Sequence, residues 1–318
     1  MGVTVQLNDR IGRRLRLQDL HILMTVVQAG SMGKAAQRLN TVQPSISKSI
    51  ADLENALGVR LLDRQRQGVK PTEYGRVLLD CGVAVFDELR QGVKKIEFLA
   101  DPAAGEVRIG NALSSAASFV AAVIDRLSRR HPPIVFHLVP AGVDIVHREL
   151  NERNLDFVIA RRGYPFTDDQ FGHEILYDVS YVVVAGAQNP WARRRRIELA
   201  ELVNEPWVLP PPGNSVAEAA MEAFRASGLD YPHATVFLDV VTERLTLLTT
   251  GRFLTICPAS TLKLPSRRPD LKVLPVELPM ARMPVGIVTV KNRTLNPVAK
   301  LFIECAREVA KPLTKRKG

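Results

Sequence analysis

SMGKAAQRLNTVQPSISKSIADLENALG, residues 31–58, predicts two helices joined by a tight turn. Ala35 and Ala36 give the first helix a small apolar face that permits close packing. Asn40 and Thr41 end its pattern, because their side chains favour hydrogen bonds to nearby backbone over helix extension. We therefore expect Thr41 to be the N-cap of the second helix.

The second helix has an apolar stripe and a polar face. Pro44 falls in its first turn, where the missing N–H costs nothing. The stripe is made of apolar residues spaced four, three and four apart, which are Ile46, Ile50, Leu53 and Leu57. Off the stripe lie short hydrogen-bonding side chains and one cation, namely Gln43, Ser45, Ser47, Lys48 and Ser49. This face suits a helix that reads base edges in the major groove, although an ordinary hairpin with a solvated face has the same pattern.

The flanking residues extend this hairpin into a larger motif. Apolar periodicity over residues 17–27 predicts a preceding helix, closed by Ala29-Gly30. After the hairpin, LLDRQRQGVKP (61–71) predicts two short strands around a glycine turn with basic residues at its tip. Three helices and a basic hairpin make a winged helix-turn-helix at residues 15–71.

Residues 17–76 resemble the DNA-binding domain of LysR-type transcriptional regulators. The resemblance rests on the Ala-Ala of the first motif helix, the Gln-Pro-Ser-x-Ser-Lys opening of the second, its Leu-Glu-x-x-Leu-Gly exit, and the Pro-Thr-x-x-Gly after the wing. The base and phosphate contacts that it implies come from Gln43, Pro44, Ser47, Lys48 and Arg64. Helix and wing geometry add Ser45, Ser49 and Arg66.

Charge agrees with an anionic partner. The formal net charge is +10 and the pI about 9.8. Up to Lys70 there are eleven Lys or Arg against five Asp or Glu, so this segment carries +6 of the excess. Three widely separated cysteines without a CxxC predict reduced thiols rather than a metal site, and no apolar run is long enough to cross a membrane.

A long helix is expected at residues 72–101, between Thr72 and Asp101-Pro102. Its apolar residues recur every three or four positions, and they are Tyr74, Val77, Leu78, Cys81, Val85, Leu89, Val93 and Ile96. At 1.5 Å per residue it spans about 40 Å, further than the small DNA-binding domain can cover. We expect it to pair antiparallel with a second copy; packing against its own C-terminal domain is the alternative.

Alternating strands and helices over residues 105–310 predict an α/β domain with parallel sheets. The expected elements include a helix from Ser114, one strand or two over residues 177–185, and a final helix over residues 297–309. Two segments, GEVRIGNALSS and EPWVLPPPGNS, share a pattern of a strand, then small or Pro/Gly residues, then Ser at a helix start, which suggests two similar lobes. The resemblance extends more loosely to about residue 305 and implies a periplasmic-binding-protein-like architecture.

The predicted organisation has four parts, the last of them a two-lobed effector-binding domain, and a short tail. Residues 1–14 form a disordered basic arm, followed by the winged helix-turn-helix and the linker helix. Lobe I takes residues 105–180 and 284–310, and lobe II residues 181–283. Residues 311–318 form a frayed basic end.

Helix starts in the two lobes suggest an effector site between them, because free N–H groups there bind anions or hydroxyls. The candidate residues are Asn111, Ser114, Ser115, Arg161, Asn214, Ser215 and Thr242. Each polar cap could also be a plain N-cap. Such a site suits a small anionic or polyhydroxylated effector.

The sequence therefore predicts a cytoplasmic, effector-responsive regulator that binds promoter DNA as a dimer of dimers, with RNA polymerase as a further candidate partner. No nucleophile elbow, P-loop, dinucleotide fingerprint or metal-ligand spacing is present, so neither a catalytic residue nor a cofactor is predicted. The alternative is a binding-protein-like receptor or enzyme domain whose basic N-terminal module serves protein interaction.

Overall fold

The computed structural model describes residues 15–65, 68–101, 104–111, 116–140, 142–161, 166, 169–262 and 268–314. The chain divides into two compact units, one ending at Gly92 and the other starting at Val93. The predicted arm, residues 1–14, and the end of the predicted basic tail, residues 315–318, lie outside the described residues.

The first unit begins with three helices around a small apolar core. They are α1 (Leu17–Ala29), α2 (Met32–Arg38) and α3 (Gln43–Leu57). The apolar stripe predicted on the second motif helix is buried, since Ile46, Ile50 and Leu53 are each 1% exposed. The predicted helix-turn-helix is therefore present, with α3 in the position of the recognition helix.

The turn between α2 and α3 differs in one detail from the prediction. Asn40 has φ 50°, in the left-handed region that its short polar side chain tolerates. Thr41 is not the cap: the N-cap of α3 is Val42, whose side chain makes no capping bond, and Pro44 lies in the first turn as predicted. Since Pro44 lacks an N–H, this turn has one fewer donor to satisfy, which reduces the need for a side-chain cap.

The wing is a two-stranded hairpin made of β1 (Leu62–Gln65) and β2 (Gly68–Pro71). Glu54, on α3, accepts hydrogen bonds from the backbone N–H groups of Leu61 (2.7 Å) and Leu62 (3.2 Å). The hairpin is therefore fixed to the recognition helix by a carboxylate as well as by packing between side chains.

The long helix α4 spans Glu73–Ala100, 28 residues. Thr72 Oγ1 accepts a hydrogen bond from Gly75 N at 3.0 Å. A Cβ at Gly75 would stand 2.1 Å from the carbonyl oxygen of Leu61, so only glycine allows this close approach to the base of the wing. Among the large side chains of α4, the exposed apolar ones are Tyr74, Val77, Leu89, Val93, Ile96 and Leu99.

Two five-stranded sheets form the second unit. Sheet I has the order β4-β3-β5-β12-β6, and its strands are β3 (Gly105–Asn111), β4 (Ile134–Pro140), β5 (Phe157–Arg161), β6 (Phe171–Val179) and β12 (Met283–Val290). Sheet II has the order β11-β7-β10-β8-β9, and its strands are β7 (Tyr181–Gly186), β8 (Trp207–Leu209), β9 (Ala234–Phe237), β10 (Leu254–Pro258) and β11 (Leu271–Val273). We call the parts built on sheets I and II lobe I and lobe II.

In the described part of this unit, five α-helices accompany the sheets. They are α5 (Ala117–Arg130), α6 (Val143–Asn151), α7 (Ser215–Ala226), α8 (Val241–Leu248) and α9 (Pro297–Thr314). The apolar faces of α5, α7 and α9 join a core that includes Phe119, Phe224 and Phe302. Those of α6 and α8 pack in two smaller clusters, around Val146 and Leu245.

Several predicted features need correction. Each sheet is mixed rather than parallel, because β12 runs antiparallel to β5 and β6, and β7 antiparallel to β10 and β11. The chain crosses between lobes on these strands, which reverses their direction. Residues 177–185, for which one strand or two was expected, belong to two strands separated at Ser180.

Two helix bounds also differ. The final helix continues through Lys311 and Pro312 to Thr314, instead of ending at residue 309. The described part of the helix predicted from Ser114 begins at Ala117.

Candidate DNA-reading surface and effector site

The polar face of α3 is exposed on its first two turns. Gln43, Pro44, Ser45 and Lys48 are exposed or half-buried at the helix surface, as are Ser47 and Ser49 beside the stripe. Because all six residues lie within the N-terminal half of one helix, their side chains are available together to one partner.

Gly33 on α2 is a neighbour of Gln43. A Cβ at Gly33 would lie 3.5 Å from Gln43 Oε1. This is an ordinary van der Waals distance, so the amide of Gln43 lies beside α2 and a Cβ at position 33 would fit.

A depression of about 600 Å³ adjoins this face. It is lined by α3 and by the start of α1, and its polar lining residues include Arg16, Gln18, Asp19, Ser45, Lys48 and Asp52. Sequence reasoning missed Arg16 and Gln18. The sequence could have indicated them, because Arg16 and Gln18 are a cation and an amide on either side of the first residue of α1, and helix starts bind phosphates.

The wing residues can be placed only in part. Arg64 is opposite Val69 in the β1–β2 ladder. The side chain of Arg64 and the whole of Arg66 lie outside the described part of the chain.

In the second unit, the strand ends define the candidate effector site. Parallel strands β3, β4 and β5 share one carboxyl edge, and β8, β9 and β10 share another. Val179 pairs with Met283 in sheet I, and Tyr181 pairs with Pro258 in sheet II. Both carboxyl edges therefore lie on the side where the chain crosses between lobes, which is where open α/β sheets bind ligands.

The predicted residues of lobe II lie at that edge. Asn214 caps α7, since its Oδ1 accepts from Val216 N at 2.8 Å, and its Nδ2 donates to Asp239 at 2.7 Å. Ser215 is the first residue of α7, but its side chain is outside the described part. Thr242 is exposed in the first turn of α8.

Fewer of the predicted lobe I residues can be placed. Asn111 is buried at the end of β3, and Arg161 is the last residue of β5, with its side chain outside the description. Ser114 and Ser115 lie outside the described residues. The contact of these residues with those of lobe II therefore stays a prediction.

Arg244, which was not among the predicted residues, is a buried arginine of lobe II. It is 3% exposed, and its Nη1 donates to the carbonyl oxygen of Leu238 at 3.1 Å. Its Nε is buried without a hydrogen-bond partner among the described residues. The sequence could have indicated this burial, because Arg244 lies in the apolar stripe of α8 formed by Val241, Leu245 and Leu248.

Burial also governs the titratable groups near Arg244. It lowers the pKa of Arg244, while the electrostatic influence of Cys257, Asp239, Tyr231 and Tyr181 raises it. Burial raises the pKa of Cys257 to about 12 and that of Tyr231 to about 12. The thiol and the phenol are therefore neutral at physiological pH and do not offset the guanidinium charge.

Two classes of site are absent from the described residues. No group of three or more His, Cys, Asp or Glu side chains could hold a metal ion there. Nor does any described helix combine the length and apolar character needed to span a bilayer.

A winged helix-turn-helix with an exposed polar reading helix, together with a two-lobed α/β unit, defines a DNA-binding protein with a ligand-binding type of domain. Family models agree with both parts. The "bacterial regulatory helix-turn-helix protein, lysR family" model matches residues 17–76, and the "LysR substrate binding domain" model matches residues 100–311. The chain belongs to the LysR family and is a LysR-type DNA-binding transcriptional regulator with a substrate-binding domain.

Known relatives cover nearly the whole chain. The HTH-type transcriptional regulator GbpR of Azospirillum brasilense is 24% identical over 295 residues, 92% of this chain and 86% of the relative. The transcriptional dual regulator GltC of Bacillus subtilis is 27% identical over 290 residues, 91% of this chain and 96% of the relative.

Solved structures show the same fold. A full-length OxyR variant from Pseudomonas aeruginosa has a TM-score of 0.60 at 20% identity, covering 92% of this chain and 97% of that one. CbnR, a LysR family transcriptional regulator, has a TM-score of 0.53 at 21% identity, covering 92% and 100%. These likenesses confirm the predicted α/β architecture with its N-terminal winged helix-turn-helix.

Proposed function

We propose that the protein regulates transcription in the cytoplasm by inserting α3 into the major groove of promoter DNA, under control of a small effector. The residues proposed to contact DNA are Gln43, Pro44, Ser45, Ser47 and Lys48 on α3, and Arg64 and Arg66 in the wing. The observation that supports this best is the exposed polar face on the first two turns of α3. Arg16 and Gln18 are proposed as additional phosphate contacts, because they line the same depression.

The proposed assembly is a dimer of dimers on an interrupted inverted repeat. Support comes from the exposed apolar side chains of α4, such as Leu89 (50% exposed) and Val93 (54% exposed), which a second copy of the helix would cover. A two-fold protein implies a palindromic site. At the promoter, RNA polymerase is the proposed further partner.

The assembly can be tested with a Leu89→Glu, Val93→Glu double variant. Charges on the proposed contact should reduce the mass in solution, measured by light scattering, and weaken binding to a two-half-site duplex more than to a single half-site. Glu88→Gln, an exposed position of the same helix, is the matched control. A double variant that keeps the parental mass and the parental preference for the two-site duplex would remove this proposal.

The proposed effector site lies between the carboxyl edges of the two lobes. Its residues are Asn111, Ser114, Ser115, Arg161, Asn214, Ser215 and Thr242. The capping of α7 by Asn214 and the position of both carboxyl edges beside the crossover support it. An effector that binds one arrangement of the lobes better than another would shift the state of the assembly on DNA.

A thermal-shift screen of metabolites on the full chain tests the effector site. A ligand at 100 times its Kd should stabilise the protein by about 2.7 kcal/mol. The Ser114→Ala, Ser215→Ala double variant should lose that stabilisation and still bind DNA. Ser128→Ala, which removes an exposed hydroxyl on α5, is the control. An unchanged response of the double variant would favour the plain capping role of these serines.

A further inference from the structure

The buried charge of Arg244 is not compensated by the described residues around it. A cation that is taken out of water needs a counter-charge and hydrogen bonds for its donors, or it destabilises the fold. Arg244 is 3% exposed, satisfies one donor on Leu238, and leaves Nε buried without a partner among the described residues. No acidic side chain of the described residues forms an ion pair with it.

The side chains with an electrostatic influence on Arg244 do not supply a buried negative charge. Cys257 and Tyr231 are neutral, and Tyr181 is a phenol beside the crossover. Among the described residues, Asp239 is the one carboxylate with an electrostatic influence on the guanidinium, but it is exposed and accepts a short hydrogen bond from Asn214. The positive charge of Arg244 therefore has no buried counter-ion within the described part of the chain.

The position of Arg244 links this charge to the effector site. Leu238, which accepts its hydrogen bond, directly follows β9 and so marks the carboxyl edge of sheet II. A second buried polar atom without a partner among the described residues is close to the same edge: Ser260 Oγ, two residues past the end of β10. The Tyr231 hydroxyl, which interacts electrostatically with Arg244, is also unpartnered among the described residues, but Tyr231 precedes the amino end of β9. Arg244 Nε and Ser260 Oγ are therefore two buried polar groups without partners among the described residues at an edge where ligands bind, and they indicate donors that are completed by a ligand.

We propose that Arg244 is the anion-binding residue of the effector site and that the effector carries an oxyanion group, a carboxylate or a phosphate. The inference rests on the proposed effector function and deepens it, because it chooses an anion over a neutral polyhydroxylated compound. A guanidinium binds such groups through paired N–H donors, and Nε is the member of the pair on Arg244 that has no partner among the described residues.

The test compares acids with neutral compounds of the same shape on the full-length protein. The pairs are succinate and succinamide, benzoate and benzamide, and gluconate and sorbitol; inorganic phosphate is added as a single probe. Thermal midpoints are measured at constant ionic strength against chloride. At least one anion should stabilise the parent protein, and its neutral counterpart should not.

Arg244→Met should weaken the apparent affinity for that anion by about 10- to 100-fold, the effect of losing charge-assisted hydrogen bonds. Arg252→Met, at an exposed arginine of the same lobe, should leave the response unchanged. If Arg244→Met fails to fold, Arg244→Lys replaces it: the charge stays, the Nε donor is lost, and a weakening of about tenfold is expected.

Specific outcomes would overturn the inference. The first is that gluconate and sorbitol stabilise the parent protein equally, and the second is that none of the anions stabilises it more than chloride does. The third is that an Arg244 variant is less stable without anions but keeps the parental shift in thermal midpoint. DNA binding is measured on the same samples. Loss of specific binding by the parent would contradict the proposed function itself, whereas retained binding with any of the outcomes above contradicts only the role of Arg244.

Discussion

The recognition helix and the carboxyl edge of lobe II present their polar groups in opposite ways. On α3 the side chains of Gln43, Ser45 and Lys48 are exposed, and the apolar stripe on the other side of the helix is buried. In lobe II, Arg244 and Cys257 are buried, and the Arg244 Nε has no partner among the described residues. An exposed polar group is solvated until its partner arrives, so it costs little to keep. A buried one costs stability continuously, which makes the buried edge sensitive to whatever binds there.

The largest expected effect is on the stability of the helix-turn-helix, which we expect to depend on the buried stripe of α3 and not on its exposed face. Ile50→Ala removes a side chain that is 1% exposed and should destabilise the helix-turn-helix by about 2–5 kcal/mol. Hydrogen exchange of the α1–α3 amides measures this local loss. Lys48→Ala on the exposed face should change the same protection by less than about 0.5 kcal/mol. Similar losses for both variants would abolish the contrast between the two faces.

The next effect separates base reading from phosphate contact. Gln43→Ala should cost about 1–3 kcal/mol at particular base pairs, because a bidentate amide contact discriminates between bases. Lys48→Ala should weaken binding to all duplexes and reduce the salt slope by about one unit. Titrations of specific and scrambled duplexes at several salt concentrations distinguish the two. Equal effects of both variants on both duplexes would contradict this assignment of the α3 face.

A third prediction uses the buried thiol of lobe II. Burial raises the pKa of Cys257 to about 12, so the folded state keeps a proton that the unfolded state loses near pH 9. Stability should therefore be intact below pH 9 and fall by about 1.4 kcal/mol per pH unit as the pH rises from 9 towards 12, with Tyr231 adding to the fall above pH 10.

Denaturant unfolding of the parent and Cys257→Ala between pH 9 and 10 measures this contribution. The variant should lose the Cys257 share of the slope, even if its stability at pH 7 is lower. Cys81→Ala, at an exposed thiol, should keep the parental slope. A Cys257→Ala slope equal to that of the parent would mean that the thiol is not protected from ionisation.

The smallest effect concerns an exposed ion pair of lobe I. Arg307 donates to both carboxylate oxygens of Glu174, at 2.6 and 2.8 Å, but both side chains are exposed. A double-mutant cycle with Arg307→Ala and Glu174→Ala should give a coupling of at most about 1 kcal/mol at low salt, and less at high salt. A coupling well above that would show that exposure is a poor guide to the worth of polar contacts in this protein.

The DNA-binding region was predictable because its determinants are local. The stripe on α3 follows from residue spacing, and the wing follows from glycine and strand propensities within residues 61–71. The cap was misassigned because Thr41 has the right chemistry, whereas the backbone makes Val42 the cap. Local propensity could not decide between adjacent positions.

The second unit was predictable in its alternation of elements but not in its strand directions. Nothing local to residues 283–290 indicates that β12 inserts between β5 and β6 rather than extending a parallel sheet. Arg244 was missed for a similar reason. Its place in an apolar stripe is visible in the sequence, but its lack of a counter-charge depends on Asp239 being engaged elsewhere, which only the fold reveals.

The place of β12 in sheet I also has a consequence during protein synthesis. β6 is hydrogen-bonded in its sheet to β12, and β12 begins 104 residues after β6 ends, at Met283 against Val179. At about 5–20 residues per second, the ribosome needs roughly 5–20 s to make the intervening chain. Throughout that interval β5 and β6 have open edges while lobe II emerges. Sheet I cannot be completed until β12 has been made, whereas all strands of sheet II lie between residues 181 and 273, so lobe II is the part that can complete its sheet first.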